Sequence, residues 1–236
     1  MSSPNDASAV VIGILALQGA FAEHEAALRR LPLKRQIYPI QVRTVEDLNK
    51  CAALIIPGGE STTIALLAKL SNLLEPLRQF VKTKPVWGTC AGAILLSQSV
   101  ESTTAKKGGQ ELLGGLSIKI SRNGWGSQVE SFEAELQVTG LRNSQQPFNG
   151  IFIRAPVVLT LSPLPNDPSI EVVARLSPRL LPHNISGPVK DDDPQTIVAL
   201  RQGLHFLTTF HPELTADDRF HEYFVKECVL PQVTVP

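Results

Sequence analysis

Pro85-Val86-Trp87-Gly88-Thr89-Cys90-Ala91-Gly92-Ala93-Ile94-Leu95-Leu96-Ser97 sets a cysteine at the join of two patterns. PVWG is a short apolar run of strand type, and Ala91 to Ser99 is rich in helix formers. Gly88 and Gly92 stand two residues to either side of Cys90, which makes the G-x-nucleophile-x-G elbow with sulfur in place of oxygen. The central residue of such a turn is held in a strained backbone conformation, and the flanking glycines remove Cβ atoms where strand and helix run close. A helix N-terminus beside the sulfur favours thiolate over thiol. An arbitrary cysteine is more often a small packing residue; here the glycines and the strand-to-helix context favour a nucleophile. Cys51 and Cys228 lack that context and read as core residues.

Upstream of the elbow, strand and helix patterns alternate. Val10 to Leu17 is a continuous apolar run, Ala20 to Arg30 is helical and stops at Pro32, and Lys34 to Val42 is a second strand. A short helical turn at Glu46 to Asn49 precedes a third strand, Ala52 to Ile56, which breaks at Pro57-Gly58-Gly59. Thr62 to Lys82 is helical, with Pro76 expected to divide it. This alternation predicts α/β architecture: a three-layer, mostly parallel open sheet with ligand sites at the carboxyl ends of its strands. Downstream, Leu116 to Ser121, Ser131 to Val138, Ile151 to Arg154, Glu171 to Leu176, Thr196 to Arg201 and Phe206 to Phe210 read as strands with few helices between them. The first five are expected as antiparallel additions to the same sheet, Phe206 to Phe210 as a last strand before His211, and Asp217 to Cys228 as a closing helix. Residues 1–9 read as a polar tail, 10–236 as a single domain, and Pro182 to Pro194 as a solvated loop inserted in it.

Composition limits the partners. Twenty-two basic residues balance 22 acidic ones, so there is no net positive field to recruit nucleic acid or anionic lipid. No run reaches the roughly 18 apolar residues of a membrane span, and the three widely spaced cysteines suit neither a disulfide framework nor a CxxC metal site. These features predict a cytoplasmic protein without a metal or cofactor, acting on a small molecule or with a protein partner.

A cysteine nucleophile needs a base to carry its proton, and that base needs an acceptor to orient it. His211-Pro212-Glu213 follows the last strand-like run, so His211 should emerge at the same sheet edge as Cys90, with Glu213 holding its imidazole in one tautomer. His24, His183, His205 and His221 have no comparable arrangement. Pro57-Gly58-Gly59-Glu60-Ser61 lies at another strand end, where paired glycines let the backbone come close to a ligand. The Gly59 and Ala91 N–H groups are the candidate oxyanion donors.

Together, LALQGAF (15–21), IIPGGEST (55–62), WGTCAG (87–92), FIRAP (152–156) and FHPELT (210–215) resemble the glutaminase subunit of pyridoxal 5'-phosphate synthase, a triad-type glutamine amidotransferase. The resemblance runs from about Val10 to the closing helix. It implies hydrolysis of L-glutamine to L-glutamate and ammonia through a γ-glutamyl thioester on Cys90, with His211 and Glu213 completing the triad. It also implies that Gly59, Glu60, Ser61, Arg122, Ile153 and Arg154 hold the substrate, that no cofactor is needed, and that the partner is a (β/α)8-barrel synthase which receives the ammonia. Two arginines suit the substrate α-carboxylate and Glu60 suits its ammonium, although both arginines also read as surface charge. Gln18-Gly19, at the end of the first strand, is a candidate partner-coupled switch beside Gly59.

One position departs from the family pattern: Ser127 stands in Arg122-Asn123-Gly124-Trp125-Gly126-Ser127-Gln128 where a second arginine is usual. It keeps open a non-catalytic or weakly active regulatory subunit. A cysteine hydrolase of another kind on the same architecture would account for Cys90 but leaves PGGES, FIRAP and HPE unexplained together.

Overall fold

The computed structural model describes residues 9–101, 110–122, 124, 131–181 and 189–233. Its first half is the expected alternation: β1 (Val10–Leu15), α1 (Phe21–Arg30), β2 (Ile37–Val42), α2 (Val45–Asn49), β3 (Ala53–Ile56), α3 (Ser61–Leu70), α4 (Leu74–Thr83), β4 (Val86–Thr89) and α5 (Ala91–Leu96). The second half runs β5 (Ser97–Glu101), β6 (Leu116–Ser121), β7 (Ser131–Leu136), β8 (Phe148–Ile153), β9 (Val157–Leu161), β10 (Ile170–Arg175), β11 (Ile197–Gln202) and β12 (His205–Thr208). The chain closes on α6 (Arg219–Tyr223), a π-helical segment at Phe224–Val229, and α7 (Leu230–Val233).

Seven strands form the main sheet in the order β10-β11-β12-β4-β3-β1-β2. From β12 to β2 every neighbouring pair is parallel, whereas β10 and β11 join antiparallel. Period-two burial separates two cores. Ile12, Ile14, Ile55 and Trp87 pack with Leu28 of α1 and Phe220 of α6 on one face. Leu15, Leu54, Ile56 and Val86 pack with Leu48, Ile64, Leu77 and Ile94, from α2 to α5, on the other. Helix, sheet and helix are the three layers.

The antiparallel expectation needs one correction. Only β10 and β11 extend the main sheet; β5-β6-β9 and β7-β8 form sheets of three and two strands. β9 escaped the sequence reading, and Ser97 to Ser99 belongs to β5 rather than to the helix after the elbow. Ser97 Oγ donates to the Ile94 carbonyl at 2.7 Å, a side-chain bond that satisfies the end of α5. The helix pair α3–α4 also divides elsewhere than expected. Asn72 adopts the left-handed conformation (φ 57°), where the chain turns, while Pro76 sits in the first turn of α4, where its missing N–H costs nothing. No helix among the described residues is long and apolar enough to cross a membrane.

Candidate active site

β4 and β12 are parallel neighbours, with Thr89 opposite Thr208, so the residues after each strand emerge side by side at the sheet's carboxyl edge. Cys90 follows directly and has φ 46°, ψ −100°, a region that L-residues occupy only when their surroundings hold them there. The surroundings do so at both ends: the Cys90 N–H donates to the Thr208 carbonyl at 2.9 Å, and its carbonyl accepts from the Ile94 N–H at 3.2 Å. The flanking glycines are required sterically. A Cβ on Gly88 would lie 2.5 Å from the Gly92 carbonyl group, and one on Gly92 would lie 2.0 Å from the Ile56 carbonyl oxygen.

His211 follows β12 by three residues, and its N–H donates to the Ile151 carbonyl at 2.8 Å. A short 3-10 turn at Pro212–Leu214 folds Glu213 back, so that its Oε1 lies 2.7 Å from His211 Nδ1. That contact leaves Nε2 for Cys90, whose thiol interacts with the imidazole. Burial alone would lower the His211 pKa, but the contact with Cys90 and the Glu213 carboxylate outweigh it and raise the pKa to about 10. An imidazolium at neutral pH is the outcome. Burial opposes ionisation of Glu213, yet His24 and His211 beside it hold its pKa below the usual carboxylate range. Burial pushes the other two thiols up, Cys51 to about 11 and Cys228 to about 12.

Ile153 and Gly58 adjoin this contact, and further candidates are joined to it through Gly58. Ile153, at the end of β8, brings its carbonyl to 3.9 Å from Cys90 Sγ, and Arg154 beside it has φ 44°. Gly58 lies flat against the imidazole, since a Cβ there would be 2.3 Å from His211 Cε1. Gln18 Oε1 accepts from the Glu60 N–H at 2.8 Å, and Gly19 (φ 103°) packs so closely that a Cβ would lie 1.9 Å from the Gly58 carbonyl oxygen. The strand-end turns at 18–19 and 57–60 therefore form one unit. Glu60 also caps α3, accepting from the N–H groups of Thr62 at 3.2 Å and Thr63 at 2.7 Å, and it pairs with Arg122 at 2.9 Å. Burial works against ionisation of Glu60, but the bonds from Thr62 and Thr63 prevail and bring its pKa to about 2. Ser61 is buried. Of the expected site, Cys90, His211, Glu213 and Ile153 are brought together, and the Gln18-Gly19 turn, Gly59, Glu60 and Arg122 form a second group joined to the imidazole through Gly58.

The sequence pattern of the SNO glutamine amidotransferase family matches residues 14–230. This chain belongs to that family. A probable pyridoxal 5'-phosphate synthase subunit of Arabidopsis thaliana is 46% identical, covering 92% of this chain and 85% of its own. A pyridoxal 5'-phosphate synthase subunit of Chloroflexus aurantiacus is 41% identical, covering 92% and 100%. A crystal structure of a glutamine amidotransferase superposes with a TM-score of 0.71 at 40% identity, covering 91% of this chain and 97% of that one.

In this amidotransferase the sequence reading missed a layer behind Glu213. His24 and His221 are wholly buried, with His24 Nε2 3.5 Å from Glu213 Oε2 and 3.2 Å from Thr89 Oγ1, and His24 Nδ1 2.9 Å from His221 Nε2. The signal was faint: two histidines inside helices with no spacing motif to join them. Ser127 and His183, by contrast, lie outside the described residues. Burial lowers the pKa of both His24 and His221 to about 3. A depressed histidine has the unfolded chain binding the extra proton, so stability is complete above about 6.5 and falls as pH drops towards 3. Denaturant unfolding at pH 7 and pH 5 should therefore differ by on the order of 2 kcal/mol for each of these two histidines. A His221→Phe protein should lose part of that difference; an unchanged difference would mean that His221 is not held neutral.

Proposed function

We propose that this chain hydrolyses L-glutamine to L-glutamate and ammonia and supplies the ammonia to a pyridoxal 5'-phosphate synthase subunit. The observation that carries the reading is Cys90, held at positive φ at a strand end, in contact with an imidazole whose other nitrogen is fixed by Glu213. The names of the relatives at 46% and 41% identity support the pathway.

In this reading Cys90 Sγ attacks the side-chain amide carbon, and the negative charge on the carbonyl oxygen is taken by N–H groups of Gly59 and Ala91. His211 gives its proton to the departing nitrogen, the C–N bond breaks, and ammonia leaves a γ-glutamyl thioester. The now neutral imidazole takes a proton from water. Hydroxide adds to the thioester, the C–S bond breaks, and glutamate and the His211 imidazolium are regenerated. Glu213 stays ionised throughout and stabilises the charged imidazole. Arg122 and Arg154 supply positive charge for the substrate α-carboxylate, with Glu60 and Ser61 and the backbone at Ile153 completing the pocket. Because Arg122 is paired with Glu60 and Glu60 caps α3, the carboxylate and ammonium of the substrate must share or divide that pair.

Hydrolysis without an acceptor wastes ammonia, so the reading includes a partner-controlled step at Gln18-Gly19. Binding of a barrel-shaped synthase subunit would favour the arrangement of these residues and Gly59 that completes the oxyanion donors. Steady-state glutamate release, alone and with titrated synthase, tests the function: stimulation by the synthase is expected, and no glutamate under either condition would refute it. In the same assay Gly19→Val should abolish most of the stimulation, because any Cβ at φ 103° meets the Gly58 carbonyl. Full stimulation of the valine protein would remove this turn from the mechanism.

A further inference from the structure

Behind the contact of Cys90 with His211 lies a second buried row of polar groups that the hydrolytic cycle does not use. Glu213 Oε1 meets His211, but Oε2 is buried and makes no hydrogen bond among the described residues. A carboxylate oxygen left so is costly unless a donor is aimed at it. The group facing it is His24 Nε2, 3.5 Å away, longer than an ordinary N–H···O bond but oriented from the same buried face. Thr89, the residue before Cys90, shares that nitrogen at 3.2 Å.

The neighbouring histidine decides which nitrogen of His24 carries the hydrogen. His24 Nδ1 and His221 Nε2 are 2.9 Å apart, so one donates and the other accepts. If His24 carried its hydrogen on Nδ1, its bare Nε2 could accept from the Thr89 hydroxyl, but the same lone pair would face the Glu213 carboxylate and leave Oε2 with no donor. His221 would then carry its hydrogen on Nδ1, which is buried without a partner. Both faults vanish when His24 is protonated on Nε2 and accepts at Nδ1 from His221 Nε2–H. Of the two histidines, only an acceptor, His221 Nδ1, is then left without a partner, which costs less than a stranded N–H. Trp87, at ring-centroid distances of 5.4 Å from His24 and 4.8 Å from His221, keeps both rings in place.

We propose that His24 is a positioning residue for the triad: as its Nε2–H tautomer, set by His221, it holds the second oxygen of Glu213 and so fixes the angle at which the first meets His211. The inference rests on the glutaminase reading, since it assigns the buried row a part in that reaction. Its location on α1, one turn beyond the Gln18-Gly19 turn, also ties that turn to the carboxylate through a short helix.

The test uses the full chain with its synthase subunit and compares His24→Leu, which removes the N–H at similar volume, with His24→Gln, whose amide nitrogen lies at the same number of bonds from Cα as Nε2. His24→Leu is expected to lower kcat for glutamate release by about 10- to 100-fold with KM for glutamine changed less than about twofold, because the buried imidazole touches no substrate. His24→Gln should recover most of that loss. Nitrogen-15 NMR of the wild-type imidazoles should show His24 protonated on Nε2. Wild-type kcat in His24→Leu, equal impairment of the two variants, or an Nδ1–H signal for His24 would each overturn the proposal. Should His24→Leu fail to fold, the NMR assignment and the His24→Gln rate still decide it. A wild-type protein that releases no glutamate with its synthase would instead refute the functional reading, and the tautomer would remain a separate result.

Discussion

Cys90→Ala is expected to remove the proposed glutamine hydrolysis, with a loss of several orders of magnitude in kcat. The thiol is the side chain that interacts with the His211 imidazole, beside the Ile153 carbonyl. The substitution should leave the fold intact, because alanine keeps a Cβ and occupies the same positive φ that the Thr208 and Ile94 backbone bonds impose. An unfolding midpoint close to wild type, measured beside the lost rate, separates chemistry from stability. The same change at Cys51 or Cys228 should cost packing alone, since both thiols are buried in the hydrophobic cores. Near wild-type hydrolysis by Cys90→Ala would mean that the elbow is a structural turn.

His211→Ala is expected to be as damaging as loss of the nucleophile. In the proposed reaction the imidazole both interacts with the sulfur and protonates the leaving nitrogen, and effects within such a unit do not add. The double variant Cys90→Ala, His211→Ala should thus be little worse than either single one. Glu213→Gln should be milder, since the carboxylate orients the imidazole rather than exchanging its proton. It is not innocuous: with one amide oxygen bonded to His211 Nδ1, the amide NH2 would face the His24 Nε2–H. Rates for the three variants across pH check the order, and Glu213→Gln equal to wild type at every pH would assign the orienting role to another carboxylate.

The parts of this site that were legible in the sequence are those carried by local backbone chemistry. GTCAG encodes its own turn, because only glycine at 88 and 92 fits the close approach of β4 and α5. HPE places an imidazole and a carboxylate two residues apart, and the 3-10 turn brings them into contact. The apolar runs of β1, β3 and β4 likewise encode a doubly covered parallel sheet. What could not be read was set by distant contacts. Nothing in the local pattern distinguishes strands that extend the main sheet, such as β10, from those that leave it, such as β7 and β8, since all pair antiparallel. His24 and His221 are 197 residues apart, and only the packing of α1 against α6 brings them behind Glu213. Glu60 and Arg122 were each read as substrate partners, and their pairing with one another appears only in three dimensions.

The most direct test of the central claim is to treat the complex with an irreversible glutamine-analogue alkylator and map the adduct by mass spectrometry. The account predicts a single adduct on Cys90, formed in step with the loss of glutamate release and prevented by excess glutamine. An adduct on Cys51 or Cys228, or full inactivation with Cys90 unmodified, would contradict it.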